Sequence, residues 1–518
     1  LSSDVAASVN EIPGARVVRE FSRNYNYGKT ASHIRGYVDV DMKGLDGIEK
    51  QYDKYLAGTA GRRAAIKDRR GFRKMLPGGR TIEAQHGESV KLTIDIVRQT
   101  IMEEELARGA SNTGAKWAVA IAVDPFTGAI QGMANVPTFD IHRPAAVPIE
   151  FRKNASIVNQ FEPGSTFKLV AAVTAIETGV VAMTDTFHTG NGHARIAGWP
   201  VSDTHGYGSI PFIEVISRSS NIGFAQLSLR LDRGAFFQYA RAFGFGQKSG
   251  IDLPGEVAGT LRRPNIWSGS TASSMSRGYG VDVTALQILM AYSALANGGM
   301  LVRPHIVSER FDHSGANTWS VQTAPVRQVF SGETARILMP AFEQVILNGT
   351  AEKAQVDGIR VAGKTGTAKK ALNGRYIPGK YRASFVGFFP IDDPKIAMIV
   401  LMDEPKSSIY GGQTAAPVFQ RIVDRWMATM PDVHRTQPEE MFADGPRGQR
   451  DDDKNQPAVY ETFELSGVPD VTGMGARDAA VILASRGFKT QFIGSGRVIR
   501  QSARNGAAAG SEIILTLR

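Results

Sequence analysis

Residues 162–168 read Glu-Pro-Gly-Ser-Thr-Phe-Lys, and an apolar-periodic run follows them as far as Ile176. A Pro-Gly pair before such a run predicts the start of a helix, and Gly179 predicts its end. Ser165 then lies at the helix N-terminus, and Lys168 projects its amine from the same face, within reach of the serine hydroxyl. A hydroxyl needs an adjacent base to act as a nucleophile, and a lysine is such a base only where burial or a nearby cation keeps it neutral. Taken alone, the stretch favours a capping serine beside a surface lysine.

Two further motifs change that interpretation. Ser219-Ser220-Asn221 opens a predicted helical stretch, and Lys364-Thr365-Gly366-Thr367 lies on a predicted strand. The separations are 54 residues from Ser165 to Ser219 and 145 residues from Ser219 to Lys364. A Ser-x-x-Lys, a Ser-x-Asn and a Lys-Thr-Gly in this order are the signature set of penicillin-recognising serine enzymes. Chance agreement of all three, on helix, loop and strand as required, is improbable.

The same lysine also fits a phosphate-binding expression, G-x-x-x-x-G-K-T, which runs from Gly358 to Thr365. Such a loop cradles phosphates between a buried strand and a helix N-terminus. Residues 351–357 are largely polar, and residues 366–374 lack a helical apolar face. We therefore expect a strand through Lys364, and a P-loop ATPase is the least favoured alternative.

Composition narrows the chemistry further. The chain of 518 residues has no cysteine, which excludes disulfides, zinc-thiolate sites, iron–sulfur clusters and cysteine nucleophiles. The net charge of +10 permits an anionic partner, but residues 1–85 hold 16 Lys and Arg against 10 Asp and Glu, and residues 465–518 hold 7 against 3. The charges are thus +6 and +4 at the two ends, and the region between them is neutral. No nucleic-acid partner is expected.

Metal chemistry is not expected either. His188, His193 and His205 lie close together in sequence but lack regular ligand spacing. We expect neither a metal nor a cofactor. No apolar run reaches the ~20 residues needed to span a bilayer, and the longest clear run is Ile396–Met402.

Apolar patterning predicts an α/β layout with one antiparallel sheet and an intervening helical region. The predicted strands are Trp117–Val123, Ala129–Ala134, Ile359–Ala368, Ala383–Phe389 and Ile396–Met402. The predicted helices are Thr166–Glu177, Phe212–Leu229, Thr284–Ala296 and Ala415–Met427. The first 85 residues predict an irregular strand-and-loop segment without a long helix, and the tail predicts one helix with two short strands.

The chain resembles class B penicillin-binding proteins over nearly its whole length. Beyond the three motifs, the matching stretches are His33–Tyr37, Gly47–Lys50, Arg277–Gly280, Ser384–Pro390, Tyr410–Gly412, Ala415–Phe419 and Val468–Val471. The resemblance implies a multidomain α/β protein. Its transpeptidase domain would have a five-stranded antiparallel sheet flanked by helices, plus a helical subdomain. An N-terminal pedestal and a small C-terminal PASTA-like domain would complete it.

This resemblance and the composition together predict four segments. Residues 1–85 form the pedestal, a dimerisation-type domain, and residues 86–430 form the transpeptidase domain. Residues 431–464 are polar and proline-containing, which is typical of a linker. Residues 465–518 form the PASTA-like domain, although residues 503–505 depart from the pattern of such domains.

The resemblance also implies a mechanism. Ser165 attacks a D-Ala-D-Ala stem peptide and releases D-alanine, with Lys168 as the base. Lys364 is a cation that lowers the pKa of Lys168 and helps to bind the substrate carboxylate. Ser219 relays a proton to the leaving amine, and Asn221 binds the substrate amide.

The Lys-Thr-Gly strand supplies the remaining substrate contacts that the resemblance implies. Thr365, Gly366 and Thr367 bind the extended peptide or a β-lactam as an added strand. Backbone N–H groups of Ser165 and Thr367 form the oxyanion hole.

The family also implies partners and a location. The partners are peptidoglycan stem peptides, β-lactams as covalent inhibitors, a separate glycosyltransferase and division proteins. An N-terminal membrane anchor absent from this chain would hold the protein at the periplasmic or extracytoplasmic face of the cytoplasmic membrane. The alternatives are a β-lactam-binding sensor or wall-binding scaffold without turnover, and, less favoured, a D,D-carboxypeptidase or β-lactamase.

Overall fold

A computed structural model describes residues 22–433 except 70–72, 324, 373 and 374, together with Val9, Ile12 and, with gaps, residues 471–517. The chain divides into two compact units, Leu1–Asp444 and Gly445–Arg518. The predicted linker lies outside the described residues beyond Val433, as do residues 503–505 of the tail. Within the described part, no helix is long and apolar enough to cross a membrane.

The N-terminal region contains three short helices in its described part, which the sequence prediction missed. The elements are α1 (Ser32–Arg35), α2 (Gly47–Gln51), α3 (Asp53–Leu56), β1 (Arg62–Arg63), β2 (Ala65–Lys67), β3 (Arg73–Met75), β4 (Thr81–Ile82) and β5 (Ser89–Leu92). Helices of four or five residues are too short to show an apolar period. Ile34 and Ile48 are buried in the same apolar cluster as Ile121 of the central sheet, so this region packs on the main core.

The central sheet is antiparallel and has five strands in the described part of the chain, which confirms the predicted architecture. Before it comes α4 (Ile96–Thr113), and the strands are β6 (Trp117–Val123), β7 (Ile130–Val136), β16 (Ala362–Leu372), β17 (Arg375–Phe389) and β18 (Ile396–Asp403). Their order is β16-β17-β18-β6-β7, so β16 is an edge strand.

This sheet is buried on both faces. Along β6, Val119 and Ile121 belong to one apolar cluster, whereas Ala118 and Ala120 belong to another. Successive side chains of a strand point to opposite faces, so the two clusters are the two layers beside the sheet. This explains why the strands appear in the sequence as nearly continuous apolar runs.

Helices and small sheets form the region between β7 and β16. They are α5 (Ile149–Arg152), α6 (Ala155–Val158), α7 (Lys168–Glu177), β8 (Thr186–Gly190), β9 (His193–Ile196), β10 (Trp199–Ser202), β11 (Gly208–Pro211), α8 (Phe212–Ser217), α9 (Asn221–Leu227), α10 (Arg233–Ala242), α11 (Thr271–Met275), α12 (Ala285–Ala296), β12 (Met300–Val302), β13 (Val307–Phe311), β14 (Asn317–Ser320), β15 (Pro325–Gln328) and α13 (Gly332–Leu347). The helix predicted over Phe212–Leu229 is therefore two helices. After β18 come α14 (Gly411–Thr414) and α15 (Ala416–Trp426), and the predicted helix Ala415–Met427 corresponds to α15.

The C-terminal unit has its own small core. Its described strands are β19 (Lys489–Ile493), β20 (Val498–Gln501) and β21 (Glu512–Leu517), in the order β19-β21-β20. Strands β19 and β21 are parallel, and β20 pairs with β21 in the antiparallel sense. Ala479, Leu483 and Leu515 are buried together, so the alanine-rich helix face predicted from the sequence packs on this sheet. The sequence had predicted two strands, and the structure has a third.

Replacing Phe419 with alanine is expected to lower the free energy of unfolding of the main unit by about 3–5 kcal/mol. Phe419 is fully buried, and its ring centroid lies 4.8 Å from that of Phe385 and 6.0 Å from that of Phe389. Chemical denaturation would measure the loss. Phe126, which is 50% exposed, is the matched control, and its change to alanine should cost less than about 0.5 kcal/mol. Equal effects of the two changes would contradict the packing described above.

Candidate active site

Ser165 lies in a 3₁₀ turn, Gly164–Phe167, and the α-helix α7 begins only at Lys168. The sequence had placed the helix start at Thr166. The core stabilises this turn, because the Phe167 ring is fully buried and its centroid lies 4.9 Å from that of the Phe245 ring. The hydroxyl of Tyr292 on α12 donates to the carbonyl of Thr166 at 3.0 Å. Ser165 itself remains partly exposed.

Two glycines let other backbone segments approach this turn closely. A Cβ on Gly366 of β16 would lie 2.3 Å from the Ser384 hydroxyl oxygen and 3.1 Å from the carbonyl oxygen of Pro163. A Cβ on Gly278 would lie 1.9 Å from the carbonyl oxygen of Gly164, whose N–H donates to the Gly278 carbonyl at 3.0 Å. The turn is therefore fixed between the edge strand and the loop that contains Gly278.

Lys168 is buried and connects the first two motifs. Its Nζ lies 2.6 Å from the Ser219 carbonyl oxygen, 3.1 Å from the Ser219 hydroxyl oxygen and 3.1 Å from Asn221 Oδ1. Among the described residues, no hydrogen bond joins this amine to the Ser165 hydroxyl, although the helical spacing had predicted that the two could meet. The structure thus brings Lys168 together with Ser219 and Asn221.

Two lysines at this site have lowered pKa values. Burial is the main cause that holds the pKa of Lys168 well below its usual value, and the positive charges of Lys364 and Arg277 lower it further, against an opposing effect of Asp203. Burial lowers the pKa of Lys364 to about 7. Burial therefore weakens the preference of Lys364 for its charged form, which is the form that the sequence-based mechanism uses.

The Ser-x-Asn motif interrupts a predicted helix. Ser219 has φ 59°, in the left-handed region that an L-residue seldom occupies, and such a residue ends a helix. Ser220 then caps α9, because its hydroxyl oxygen accepts the Gly223 N–H at 3.0 Å. The break between α8 and α9 presents both the carbonyl and the hydroxyl of Ser219 to Lys168. Strained backbone of this kind concentrates at functional sites.

The Lys-Thr-Gly motif lies on β16, as the sequence predicted. Lys364 is fully buried, and its Nζ is 3.4 Å from the Thr365 carbonyl oxygen. The Thr365 and Thr350 hydroxyl oxygens are 2.7 Å apart. Residues 362–372 form one continuous strand with no helix after Lys364, so the arrangement that a phosphate-binding loop requires is absent from this described stretch.

A cleft of about 960 Å³ brings the predicted residues to one place. It is lined by Ser165, Ser219, Asn221, Thr365 and Thr367. Lys168 and Lys364 are buried beside these residues. Ser165 is partly exposed at this cleft, and the amine of Lys168, three residues further along the chain, is buried and has a lowered pKa, which is the state that a general base requires.

Sequence reasoning missed several side chains at this cleft. Asp203 and Tyr279 line it, and Arg277 acts electrostatically on Lys168. Glu162 accepts the Gly280 N–H at 2.7 Å, and burial raises the pKa of its carboxyl. The sequence gives a partial signal for Arg277, Tyr279 and Glu162. The first two belong to the stretch Arg277–Gly280 that matches the family, and Glu162 directly precedes the Pro-Gly pair of the first motif. Nothing in the sequence distinguishes Asp203 from other loop aspartates.

Family models match three parts of the chain. Residues 118–424 match the penicillin binding protein transpeptidase domain, residues 2–92 match the penicillin-binding protein dimerisation domain, and residues 467–518 match the PASTA domain. The first match alone covers more than half of the chain.

Similar proteins cover most of the sequence. Stage V sporulation protein D of Bacillus subtilis is 33% identical over 509 residues, which are 97% of this chain and 76% of that protein. The peptidoglycan D,D-transpeptidase FtsI of Escherichia coli is 32% identical over 423 residues, which are 81% of this chain and 69% of that protein.

Solved structures show the same fold. Penicillin binding protein 3 of Mycobacterium tuberculosis, complexed with aztreonam, matches with a TM-score of 0.71 and 30% identity over 80% of this chain and 92% of that one. The transpeptidase domain of penicillin-binding protein 3 from Burkholderia pseudomallei matches with a TM-score of 0.58 and 32% identity over 67% and 98% of the two chains. This chain therefore belongs to the class B penicillin-binding proteins, with dimerisation, transpeptidase and PASTA domains.

Proposed function

We propose that this protein is a serine-type peptidoglycan D,D-transpeptidase that cross-links stem peptides and is acylated by β-lactams. The observation that supports the proposal most strongly is the buried Lys168 amine. It forms hydrogen bonds with Ser219 and Asn221 of the Ser-x-Asn motif, and these two residues line the same cleft as Ser165. A surface lysine beside a capping serine, the alternative for this stretch, would be solvated and charged. Burial of this amine instead favours the neutral form that a base requires.

In the first step, the Ser165 Oγ bonds to the carbonyl carbon of the penultimate D-alanine, and the bond to the terminal D-alanine nitrogen breaks. Lys168 takes the hydroxyl proton. A neutral amine has two N–H groups and one lone pair, and its two N–H groups can be donated to the Ser219 carbonyl and Asn221 Oδ1. The lone pair is then available for the proton.

The leaving D-alanine amine needs that proton. The Ser219 hydroxyl oxygen lies 3.1 Å from the Lys168 Nζ, so this hydroxyl can receive a proton from Lys168 and pass its own to the leaving nitrogen. In the second step an amine of another stem peptide attacks the acyl-enzyme carbonyl, and its proton returns to Lys168. The Ser165 ester breaks as Lys168 passes this proton to the Ser165 Oγ, which restores the hydroxyl, and the new amide bond is the cross-link.

The edge position of β16 supports substrate binding as an added strand. An edge strand presents unpaired N–H and C=O groups, with which an extended peptide pairs. We assign Thr365, Gly366 and Thr367 to this contact, and the N–H groups of Ser165 and Thr367 to the oxyanion hole. Each oxyanion-hole donor is worth about 3 kcal/mol of transition-state stabilisation. Lys364 and the Thr365 hydroxyl bind the substrate carboxylate, and Asn221 binds the substrate amide.

We place this reaction in the septal wall, outside the cytoplasm, because the similar proteins include the transpeptidase FtsI. A separate glycosyltransferase would supply the glycan strands, division proteins would act with the enzyme, and an N-terminal anchor would hold it at the membrane. The segment boundaries at residues 85, 430 and 464 remain a proposal, which the matches to residues 2–92, 118–424 and 467–518 support.

Stem peptides ending in D-Ala-D-Ala test the reaction itself. The purified protein is mixed with such a peptide and a second peptide that carries a free side-chain amine, and the products are identified by mass spectrometry. Cross-linked peptide with released D-alanine, both absent in Ser165→Ala, is the expected result. Release of D-alanine without any cross-link would indicate a carboxypeptidase. Acylation by penicillin with no peptide product would indicate a sensor.

The acylation rate is expected to depend on pH with a maximum. The rate rises with pH while Lys168 loses its proton, and it falls as pH increases through about 7, because Lys364 then loses the charge that binds the carboxylate. The second-order rate constant for a fluorescent penicillin, measured from pH 5 to 9, checks this. A rate constant that still climbs at pH 9 would contradict the assignment of Lys364 as the carboxylate-binding cation.

A further inference from the structure

The carboxylate of Asp203 connects β10 to the Ser-x-Asn motif. One of its oxygens, Oδ2, accepts a hydrogen bond from the Ser220 hydroxyl at 2.6 Å. The other, Oδ1, accepts the backbone N–H groups of Asn221 and, at 3.2 Å, Ile222. Next to it, the carbonyl of Ser202 accepts from Asn221 Nδ2 at 3.0 Å. Ser202, at the end of β10, and the adjacent Asp203 thus hold residues 220–222 through four hydrogen bonds.

These bonds fix the orientation of the Asn221 amide. Since Nδ2 can only donate, its bond to the Ser202 carbonyl turns Oδ1 towards the Lys168 Nζ, 3.1 Å away. The same carboxylate holds the backbone just after Ser219, which occupies the left-handed region. A residue in that region costs roughly 1–3 kcal/mol and persists only where its surroundings hold it. Three of these four bonds end on Asp203.

Asp203 also carries the negative charge that acts on the amine. Lys364 and Arg277 are the cations that act on Lys168, and Asp203 is the anion. It favours the charged form of Lys168, whereas burial and the two cations favour the neutral form. Asp203 therefore affects the positions of Ser219 and Asn221, the hydrogen-bond partners of Lys168, and also the net charge around the Lys168 amine.

We propose that Asp203 is a positioning residue of the acylation reaction, which holds Ser219 and Asn221 against the Lys168 amine and provides the counter-charge for its protonated form. The inference rests on the proposed function, since it assigns a role in that same reaction. Asp203 acts through the motif and through charge, and it needs no contact with the reacting atoms.

The test compares Asp203→Asn with Asp232→Asn in the full chain. Asparagine keeps the size of the side chain and removes the charge, and Asp232 is an exposed helix-capping aspartate that makes the same kind of bond, to the Ala235 N–H at 2.8 Å. For Asp203→Asn, we expect the rate constant for acylation by a fluorescent penicillin to fall by about ten- to a hundredfold. We also expect the acid limb of its pH profile to move to lower pH, because the proton on Lys168 loses its counter-charge. Asp232→Asn should change neither.

Ser220→Ala separates position from charge. It removes the 2.6 Å bond to Asp203, together with the bond that the Ser220 hydroxyl accepts from the Gly223 N–H, and it keeps the carboxylate. For Ser220→Ala, the rate constant is expected to fall while the acid limb of the pH profile stays in place. For Asp203→Asn, both are expected to change. A general loss of folding would not produce this difference between the two variants. A reactive wild type together with an Asp203→Asn variant of unchanged rate and pH profile would overturn this inference alone. A wild type that penicillin does not label would overturn the proposed function, and this inference with it.

Discussion

Replacing Lys168 with methionine is expected to lower the rate constant for acylation of Ser165 by a factor of about 10² to 10⁴, which is the usual contribution of a positioned general base. Methionine has a similar length and no basic nitrogen. The buried amine makes three polar contacts, to the Ser219 carbonyl and hydroxyl and to Asn221. Its loss leaves the Ser165 hydroxyl with no base to receive its proton.

Time-resolved labelling with a fluorescent penicillin measures this loss. Lys353→Met is the matched control, since Lys353 is exposed and lies outside the cleft. The melting temperatures of both variants are measured as well, because methionine leaves the Ser219 carbonyl and Asn221 Oδ1 without the hydrogen bonds that the Lys168 amine donates. Acylation of Lys168→Met at the wild-type rate would rule out Lys168 as the base.

Replacing Gly278 with alanine is expected to slow acylation by about a hundredfold, the cost of displacing a reacting group by roughly 1 Å. The new Cβ would lie 1.9 Å from the carbonyl oxygen of Gly164, a distance that the backbone must relieve by moving. Gly164 directly precedes Ser165, and its N–H donates to the Gly278 carbonyl. The displacement therefore reaches the nucleophile.

Gly280→Ala is the control for this variant. Gly278 and Gly280 have φ of 83° and 76°, so alanine is strained at both positions, by roughly 1–2 kcal/mol. A Cβ on Gly280, however, meets nothing within 4 Å. Both variants are expected to have lower melting temperatures. Only Gly278→Ala should also have a lower rate constant for acylation of the folded protein. Equal rate constants in the two variants would show that backbone strain, and not the contact with Gly164, sets the effect.

The strands of the central sheet could be predicted because the sheet is buried on both faces. Residues such as Val119 and Ile121 face one layer while Ala118 and Ala120 face the other, so an uninterrupted apolar run marks the strand. The three motifs were equally visible, since each keeps its residue types at fixed short spacings. Their convergence on one cleft followed from the family resemblance and could not be derived from separations of 54 and 145 residues.

The features that could not be predicted from the sequence depend on single backbone angles and on contacts with residues that are distant in the chain. The apolar period runs through Ser219, so a continuous helix was predicted, but its left-handed φ ends α8 there. The spacing of Ser165 and Lys168 indicated that the amine could reach the serine hydroxyl, but it did not specify the contacts of the amine with Ser219 and Asn221. Asp203 belongs to a loop whose partners lie 17 to 19 residues away, which no local pattern specifies.

The central claim is that Ser165 is the residue that becomes acylated. The most direct measurement is the intact mass of the protein after reaction with benzylpenicillin, followed by proteolysis and mass spectrometry to locate the adduct. We predict a single penicilloyl group on the peptide that contains Ser165 and no mass change in Ser165→Ala. An unmodified wild-type protein, or an adduct that persists in Ser165→Ala, would contradict the account.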